Sequence, residues 1–437
     1  MTNQQYSKTL TGQKVFVGLS GGVDSSVSAL LLKKAGFDVT GVFIKVWQPE
    51  NGDCTWKEDR RDAMRVAANL GIKFITLDLR DEYKHGVVDY MIDEYAKGRT
   101  PNPDVMCNKE VKFGAFMNFA LANGADFVAT GHYAQTAGGE MFEGRDGEKD
   151  QSYFLWTLKG EQLNKILFPI GHLEKAEVRK IAEKNNIPVA RKKDSQGVCF
   201  IGHIDMKDFI REHILANTSG NISDAKNQKG LAVGDVLDTS GNVIGKHDGS
   251  LFYTIGERHG LALSTNSTNT PRYYVIDKDI EKNTITVAEK EQMKKDGAGA
   301  VEKLVFDDIH FIQEGYRQQL VALVKRGDDQ ITQSGKIDEK TVNFTNQGEK
   351  TGDKIGGRGI NCLARARYRQ KKEPCTLSYN NGKYEIVFAR PQDGITPGQS
   401  LVLYFANSSD GAPADLAKNV NKANKIVDAK TLGGVII

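Results

Sequence analysis

Short apolar runs alternate with amphipathic stretches in the early part of the chain. The runs at 15–19, 39–46 and 74–79 predict buried strands. Between them, apolar positions recur at helical spacing, as at 59–70, and predict helices. Strands that alternate with helices indicate a parallel sheet covered on both faces. We therefore predict an α/β fold with a Rossmann-like, doubly wound parallel sheet.

Near residue 210 this alternation gives way to short β-type runs separated by polar and glycine-rich segments. We expect the α/β domain to span 1–208, a small mixed or β central domain to span 209–282, and a C-terminal β-barrel to span 283–437. The patternless stretch 328–359 predicts an insertion in the barrel, and the polar end of the chain predicts a loose tail. The β-type runs include 231–233, 242–245, 251–255, 319–325 and 363–368.

Composition narrows the class of protein. The 437 residues carry a net charge of only +3, so a nucleic-acid surface would have to be a local patch. No apolar run reaches the length of a membrane span, and the polar N-terminus lacks a secretory pattern, which predicts a cytoplasmic protein. The 5 cysteines are widely spaced without a C-x-x-C, which argues against a disulfide scaffold, a zinc knuckle or an iron–sulfur cluster. The cysteine count leaves open that single cysteines act as reactive thiols. Cys362 and Cys375 are expected to take no part in the chemistry.

A turn of small residues, Ser20-Gly-Gly-Val-Asp24-Ser-Ser, separates the first predicted strand from a helical stretch. Gly21 and Gly22 allow the backbone to turn tightly and to approach a ligand, and the free N–H groups of the helix start favour an anion. The common phosphate loop has a lysine after its last glycine, whereas here Asp24 stands where a cation would be expected. A glycine-rich turn in an unrelated α/β protein is the alternative.

Two cysteines are candidate nucleophiles. Cys107 ends the phrase Arg99-Thr-Pro-Asn-Pro-Asp104-Val-Met-Cys107, whose prolines predict a stiff, non-helical loop before a helix. A thiol near a helix N-terminus with Lys109 nearby predicts a lowered pKa and a reactive thiolate, and Asp104 offers a carboxylate for proton transfer. Cys199, in Asp194-Ser-Gln-Gly-Val-Cys199-Phe, suits a mobile reactive thiol and a core thiol equally. A buried structural cysteine is the alternative for both.

An arginine-rich segment near the C-terminus is the clearest candidate for phosphate contacts. Arg365, Arg367 and Arg369 recur at every second position, which predicts that they share one face of a strand. Lys371 and Lys372 extend this basic patch. A solvated charged face is the alternative interpretation.

Several motifs, in order along nearly the whole chain, resemble the bacterial tRNA-specific 2-thiouridylases of the ATP pyrophosphatase (PP-loop) superfamily. The motifs are Ser20-Gly-Gly-Val-Asp-Ser-Ser, Gly98-Arg-Thr-Pro-Asn-Pro-Asp-Val-Met-Cys107-Asn-Lys, Gly131-His-Tyr, Lys149-Asp-Gln-Ser-Tyr-Phe-Leu, Asp194-Ser-Gln-Gly-Val-Cys199-Phe-Ile-Gly, Tyr253-Thr-Ile-Gly-Glu-Arg-His-Gly260 and Thr396-Pro-Gly-Gln-Ser400. The insertion at 328–359 and the extension past Ser408 depart from the usual pattern.

The resemblance implies an enzyme that uses ATP with Mg²⁺ to adenylate the C2 oxygen of the wobble uridine in tRNAs of the Lys, Glu and Gln type. Persulfide sulfur would then replace that oxygen, giving 2-thiouridine, AMP and pyrophosphate. Cys199 would carry the persulfide, Cys107 would be the nucleophile and Asp104 would transfer protons. Besides tRNA, the implied partners are a sulfur-carrier protein or cysteine desulfurase, and a reductant for a Cys107–Cys199 disulfide.

The resemblance also assigns binding residues, and no separate metal site. For ATP these are Gly18, Leu19, Ser20, Gly21, Gly22, Val23, Asp24, Ser25, Ile44 and Gly131. For tRNA they are Asn102, Pro103, Asp104, His132, Lys149, Asp150, Gln151, Arg367, Tyr368 and Gln399, with further contacts from the central domain.

Two other classes of protein share the loop. Another PP-loop enzyme, such as a lysidine synthetase or an amide-forming ligase, would let ammonia or an amine attack the adenylate. A non-catalytic, nucleotide-dependent RNA-binding protein would need neither thiol. The presence of both Cys107 and Cys199 favours sulfur transfer over the other PP-loop enzymes, and the intact loop with Asp24, together with Cys107 beside Asp104, argues against a non-catalytic protein.

Overall fold

The computed structural model describes residues 12–49, 56–194, 206–216, 229–258, 262–263, 272–297, 299–322, 359–405 and 430–437. The strands of these segments form three sheets. Cys199, most of the predicted insertion and most of the predicted tail lie outside the described residues. Among the described helices, none is both long and apolar enough to cross a membrane.

The first sheet is parallel throughout and confirms the predicted doubly wound fold. Its strands lie in the spatial order Lys73–Asp78, Asp38–Lys45, Lys14–Gly18, Phe127–Ala129, Ile166–Leu167. The chain moves outward from the first strand and later returns to its other side. Ligands of such sheets bind beyond the carboxyl ends of the strands at this reversal, which here lies beside Gly18.

Helices cover both faces of this sheet. Val15 and Val17 of the first strand face one hydrophobic cluster, whereas Phe16 faces the other, as the two-residue repeat of a strand requires. Burial on both faces explains why the strands read as continuous apolar runs. Within the described residues, the helical segments include Val23–Lys34, Trp56–Leu70, Arg80–Tyr83, Lys84–Asp89, Tyr90–Ala96, Pro103–Met106, Cys107–Ala115, Phe116–Ala122, Ser152–Phe154, Gly160–Leu163, Lys175–Lys184, Met206–Ala216, Ser250–Phe252, Lys290–Asp296 and 314–322.

The central sheet has the strand order Ala262–Leu263, Val243–His247, Gly234–Leu237, Thr284–Glu289, Tyr273–Asp279. The strands predicted at 231–233 and 251–255 are wrong. At the second position, Ser250–Phe252 form a short 3₁₀ turn after Gly249, whose φ is 134°. Three consecutive buried side chains suit such a turn better than a strand, where alternate side chains face opposite sides.

The predicted C-terminal β-barrel is built on a nine-stranded sheet. It also contains an element from much earlier in the chain, because the hairpin Ala134–Ala137 and Glu140–Glu143 pairs with the last described strand, Lys430–Ile436. The order is Val301–Phe306, Lys383–Gln392, Glu373–Asn380, Ile360–Arg365, Ser400–Phe405, Lys430–Ile436, Glu140–Glu143, Ala134–Ala137, with His310–Phe311 also paired to Lys430–Ile436.

The strand predicted at 319–325 is wrong for residues 319–322, since residues 314–322 are helical, and residues 323–325 lie outside the described residues. Tyr316 and Leu320 are buried at 3% and 0% exposure, four positions apart, while Gln318 and Gln319 are exposed. That spacing places the apolar side chains on one face of a helix.

Candidate active site

The Ser20-Gly-Gly turn lies at the carboxyl end of the first strand and is held by its own hydroxyl groups. The Ser25 hydroxyl accepts from the Ser20 amide at 3.2 Å and lies 3.1 Å from the Ser20 hydroxyl. Ser25 and Ser26 both donate to the carbonyl oxygen of Gly22, at 3.2 and 2.7 Å. These bonds fix the first turn of Val23–Lys34 in the geometry of an anion site.

Two glycines are required by the space around this turn. Gly21 has φ +77°, and a Cβ there would overlap the carbonyl oxygen of Asp59. Gly131 follows the strand Phe127–Ala129 and lies against the loop, where a Cβ would come within 2.6 Å of the Ser25 amide nitrogen. The structure therefore brings Gly131 to the loop. Ile44 lies near the carboxyl end of its strand, at the same edge of the sheet.

Asp24 has a cation as its partner. The Lys175 ammonium lies 2.8 Å from both of its carboxylate oxygens, and the Tyr133 hydroxyl donates to it at 2.8 Å. Lys175 is the first residue of the helix Lys175–Lys184. The positive charge that the loop sequence lacks thus comes from a distant element. Burial and the Asp24 charge raise the pKa of Tyr133, which keeps its hydroxyl a donor.

Lys175 also extends the network to Asp194, 2.8 Å away. Asp194 accepts from Lys149 at 2.9 Å and from Arg179 at 2.8 Å. Partial burial would raise the pKa of Asp194, but hydrogen bonds from Lys175 and Lys149 outweigh it and lower the pKa to about 2. The carboxylate that precedes the Cys199 segment is therefore anchored to the loop through Lys175.

Cys107 lies inside a helical run, not in front of one. Pro103–Met106 begins the run, Cys107–Ala115 continues it with π-helical geometry, and Phe116–Ala122 ends it. The predicted non-helical loop is thus wrong beyond Asn102, because proline is tolerated at the first helical position and the Asn102 side chain caps the Val105 amide. The ring of Phe116, further along the run, reaches the loop end of the first strand, 3.7 Å from where a Cβ of Gly18 would lie.

The predicted lowering of the Cys107 pKa is wrong for this conformation. The thiol is 0% exposed, and burial raises its pKa to about 11, with Lys112 lowering it and Asp104 raising it further. Lys109 instead pairs with Glu110 at 2.9 Å. The thiol is therefore protonated and closed off, so its use as a nucleophile needs a local opening of this segment.

His132 lies in an aromatic pocket next to the same helical run. Its ring centroid is 5.9 Å from those of Phe113 and Phe168, and its Nδ1 lies 2.7 Å from the Thr130 hydroxyl. Burial lowers its pKa well below the ordinary value, so the ring is neutral at pH 7. His132 thereby joins the Gly131 turn to the helix that carries Cys107.

The segment Lys149-Asp-Gln, expected to contact tRNA, is tied into the protein. Gln151 accepts from the Tyr133 amide at 3.0 Å. Asp150 is 2% exposed and accepts from the Gly144 and Ser152 amides at 3.0 and 3.1 Å and from Arg365 at 3.2 Å. Among the described residues, the partners of the Asp150 carboxylate are groups of the protein itself. Its observed role is therefore to hold this segment in place.

The arginines do not share a strand face, because the strand Ile360–Arg365 ends before the others. Arg365 is an internal residue, 3.2 Å from Asp150 and 3.4 Å from Glu143, and all three side chains are nearly buried. Arg369 has φ 64°, which turns the chain, and its guanidinium lies over the ring of Tyr368. The predicted basic strand is therefore wrong.

Arg367 and Gln399 each bond to residues that are far away in the sequence. Arg367 donates to the carbonyl of Ile255 and to the Thr396 hydroxyl, the latter at 2.9 Å. The Gln399 amide donates to the carbonyl oxygen of Thr100 at 3.0 Å. Tyr368 packs on Phe154, with ring centroids 4.6 Å apart. The Gln399 bond lies on the backbone that leads into the Cys107 helix.

Sequence reasoning missed Lys175, Tyr133 and the role of Asp194. Tyr133 stands inside the Gly131-His-Tyr motif, so a signal was present. Lys175 had no comparable signal, since a lysine at the start of an amphipathic helix reads as an ordinary surface residue.

The fold and the loop at its reversal point define a PP-loop protein of the ATP pyrophosphatase class. Three family models match the chain: a tRNA methyl transferase HUP domain over 13–203, a tRNA methyl transferase PRC-barrel domain over 207–289, and an aminomethyltransferase beta-barrel domain over 334–410. The tRNA-specific 2-thiouridylase MnmA of Lactococcus lactis subsp. lactis is 39% identical over 94% of this chain and 96% of its own.

Two further relatives have the same name and similar identity. The tRNA-specific 2-thiouridylase MnmA of Halalkalibacterium halodurans is 40% identical over 90% of this chain and 91% of its own, and that of Streptococcus thermophilus is 39% identical over 90% and 92%. The chain therefore belongs to the tRNA-specific 2-thiouridylase family.

Proposed function

We propose that this protein is a tRNA-uridine 2-sulfurtransferase. It adenylates the C2 oxygen of the wobble uridine of Lys-, Glu- and Gln-type tRNAs with ATP, and persulfide sulfur then displaces AMP to leave 2-thiouridine. The observation that carries the proposal is the joint presence of a PP-loop at the sheet reversal and of Cys107 on a helix that packs against the same strand end, in a chain of this family.

The family models are described as methyl transferases, whereas the relatives are named for thiolation. The two chemistries need different sites. A loop built to bind anionic phosphates and a thiol beside Asp104 serve adenylation and sulfur transfer. Thiolation is the better-supported chemistry, because the identity with the relatives named for it extends over nearly the whole chain.

The loop would bind the phosphates of ATP. The residues proposed for the nucleotide are Gly18, Leu19, Ser20, Gly21, Gly22, Val23, Asp24, Ser25, Ile44 and Gly131. Lys175 supplies the cation of the site, next to Asp24. Mg²⁺ would neutralise phosphate charge when bound, and Asp24 is the carboxylate of the loop that could hold it. Adenylation is needed because the C2 oxygen of uracil is otherwise a poor leaving group.

The second half-reaction uses the thiols. The outer sulfur of a Cys199 persulfide bonds to C2, the bond from C2 to the adenylated oxygen breaks, and AMP leaves. The Cys107 thiolate attacks the inner sulfur, which cleaves the S–S bond and leaves a Cys107–Cys199 disulfide. Asp104 accepts the Cys107 proton. A cysteine desulfurase or a sulfur-carrier protein reloads Cys199 after an external thiol reductant has opened the disulfide.

The wobble base must leave its stack, because a stacked base hides its C2 atom. We propose that Asn102, Pro103 and Asp104 receive it, and that His132, Lys149 and Gln151 line its path. We propose that Arg367, Tyr368 and Gln399 contact the backbone of the anticodon stem-loop, with Asp150 acting indirectly through Arg365.

We also propose that the chain divides into three domains, with boundaries at 208 and 282. The 134–143 hairpin of the first domain is built into the C-terminal sheet.

The direct test is mass spectrometry of tRNA nucleosides after incubation with the protein, ATP, Mg²⁺ and a persulfide source. We expect 2-thiouridine at the wobble position, with AMP and pyrophosphate released. Cys199→Ser should accumulate adenylated tRNA without thiouridine. Normal thiolation by that variant would rule out the two-cysteine scheme, and a product that carries nitrogen at C2 would favour an amide-forming PP-loop enzyme.

A further inference from the structure

A turn of the C-terminal sheet, residues 396–399, presses on the backbone that leads to Cys107. The Thr100 amide donates to the carbonyl oxygen of Pro397 at 2.8 Å. In return, the Gln399 side-chain amide donates to the carbonyl oxygens of Thr100 at 3.0 Å and of Pro101 at 3.3 Å. The turn therefore binds the N–H group of Thr100 and the carbonyl oxygens of Thr100 and Pro101, and we call this set of bonds the grip.

The approach is close enough to require glycine at the centre of the turn. Gly398 has φ +91°, and a Cβ there would lie 2.8 to 2.9 Å from the backbone oxygen, carbon and nitrogen of Thr100. The turn is itself fixed, because the Gly398 amide donates to Ile437 at 2.7 Å and the Ile437 amide donates to Gln399 at 2.8 Å. The grip is thus a rigid feature of the C-terminal sheet.

The gripped peptides lead directly into the nucleophile segment. Asn102 follows Pro101 and caps the helical run that contains Cys107, whose thiol is 0% exposed. A hinge at Thr100 or Pro101 would have to break the bonds to Gln399 before the start of this run could move. The closed state of Cys107 and the grip on Thr100 are consequently coupled.

We propose that Gln399 is a positioning residue that latches the 100–107 segment in the closed state and sets how often Cys107 becomes accessible. The inference rests on the proposed function for its meaning, since tRNA that engages the amide of Gln399 would release the carbonyls of Thr100 and Pro101. It differs from a simple tRNA contact, because the latch acts in the free protein.

The test is site-resolved alkylation of the full-length protein without tRNA or ATP. Iodoacetamide labelling is followed by peptide mass spectrometry for Gln399→Ala, the isosteric Gln399→Glu, which cannot donate, and Gly398→Ala. We expect Cys107 to react at least threefold faster in each variant. Cys362 and Cys375 serve as internal reporters, since both are buried in the C-terminal sheet at 4% exposure and must keep their parental rates.

A matched control is Gln319→Ala, an exposed glutamine on the helix 314–322, which should leave every rate unchanged. A Cys107 rate less than threefold above that of the parent in any of the three variants overturns the latch. Acceleration of all buried cysteines together also overturns it, because that pattern reports loosening of the whole sheet.

Turnover separates the latch from direct recognition. With tRNA, ATP and a persulfide source, the latch predicts that Gln399→Ala has a kcat no lower than that of the parent, because Cys107 becomes accessible more often, with the KM for tRNA within twofold of the parent. A raised KM with parental Cys107 alkylation overturns the latch in favour of a tRNA contact. Absence of thiouridine in the parent would refute the proposed function while leaving the alkylation result interpretable.

Discussion

The Lys175 ammonium lies 2.8 Å from both carboxylate oxygens of Asp24, although the two residues are 151 positions apart. The pair closes the side of the phosphate loop that its own sequence leaves without a cation. Its side chains are 13% and 31% exposed, so the charges are partly shielded from solvent. Incoming phosphate would compete with Asp24 for Lys175.

Lys175→Met should therefore impair ATP use more than folding. We expect release of AMP or pyrophosphate to fall by about 100-fold, because a preorganised charge at a phosphate is worth a few kcal/mol. Lys175→Arg should retain part of the activity. Lys180→Met, an exposed position of the same helix, is the matched control and should behave as the parent. Equal rates for Lys175→Met and the control would show that the loop does not use this cation.

The Asp194 carboxylate predicts a stability difference that depends on pH. Its pKa is lowered to about 2, so its stabilising contribution is complete above the ordinary value near 4 and is lost as pH falls toward 2. Asp194→Asn should melt at a lower temperature than the parent at pH 7, by roughly 1–2 kcal/mol in stability after allowing for partial exposure. The gap between the two proteins should shrink from pH 4 downward and close near pH 2, and a constant gap would contradict this account.

Cys107 should show the alkylation profile of a buried thiol. Because burial raises its pKa to about 11, the thiol is protonated at pH 8, and its reaction rate should still rise between pH 8 and 10. Iodoacetamide labelling across this range, resolved by peptide mass spectrometry, is the measurement. A rate profile with its midpoint near pH 8.5, as in an unperturbed cysteine, would mean that the thiol is exposed in solution.

Cys362 and Cys375 form a cross-strand pair that oxidation should join. They are register partners on adjacent strands, and their sulfur atoms lie 3.4 Å apart. With diamide as the oxidant, we expect an intramolecular disulfide to form slowly, because both thiols are buried. Non-reducing peptide mapping detects it. The crosslink should raise stability by about 2–3 kcal/mol, and Cys375→Ser should lose this gain.

Arg365 should matter for stability and Arg369 should not. Arg365 pairs with the nearly buried Asp150 and with Glu143, which Lys372 also binds, so Arg365→Ala leaves Asp150 without its cation and should cost about 3–5 kcal/mol. Arg369→Ala removes a guanidinium that lies over Tyr368 and should change thermal stability by less than about 1 kcal/mol. Similar melting temperatures for the two variants would show that the Arg365 ion pairs do not stabilise the fold.

The sequence predicted what local pattern determines. The strand, the Ser20-Gly21 turn and the following helix are adjacent in the chain, and their hydrogen bonds are local, so the loop and the doubly wound sheet could be inferred. The Lys175 partner could not, because nothing near Asp24 signals a residue so far along the chain.

The remaining wrong predictions concern side chains that are buried by distant parts of the chain. The sign of the Cys107 pKa shift depends on side chains packed around it, which the neighbouring Lys109 does not reveal. The arginine strand was misjudged because Arg365 pairs with Glu143, at the end of an early hairpin, and with Asp150, in the loop after it, and both contacts are non-local. Cys199, the other predicted nucleophile, lies outside the described residues, so its role stays a prediction.

The early hairpin also constrains the order of folding. Glu140 forms an ion pair with Lys430, 290 positions later, and the strand Lys430–Ile436 lies between this hairpin and Ser400–Phe405. During synthesis the hairpin therefore has an unpaired strand edge until the last described strand has been made. A chain interrupted before that strand would leave the turn at 396–399 without its partner Ile437, so truncated copies should be unable to complete the catalytic half.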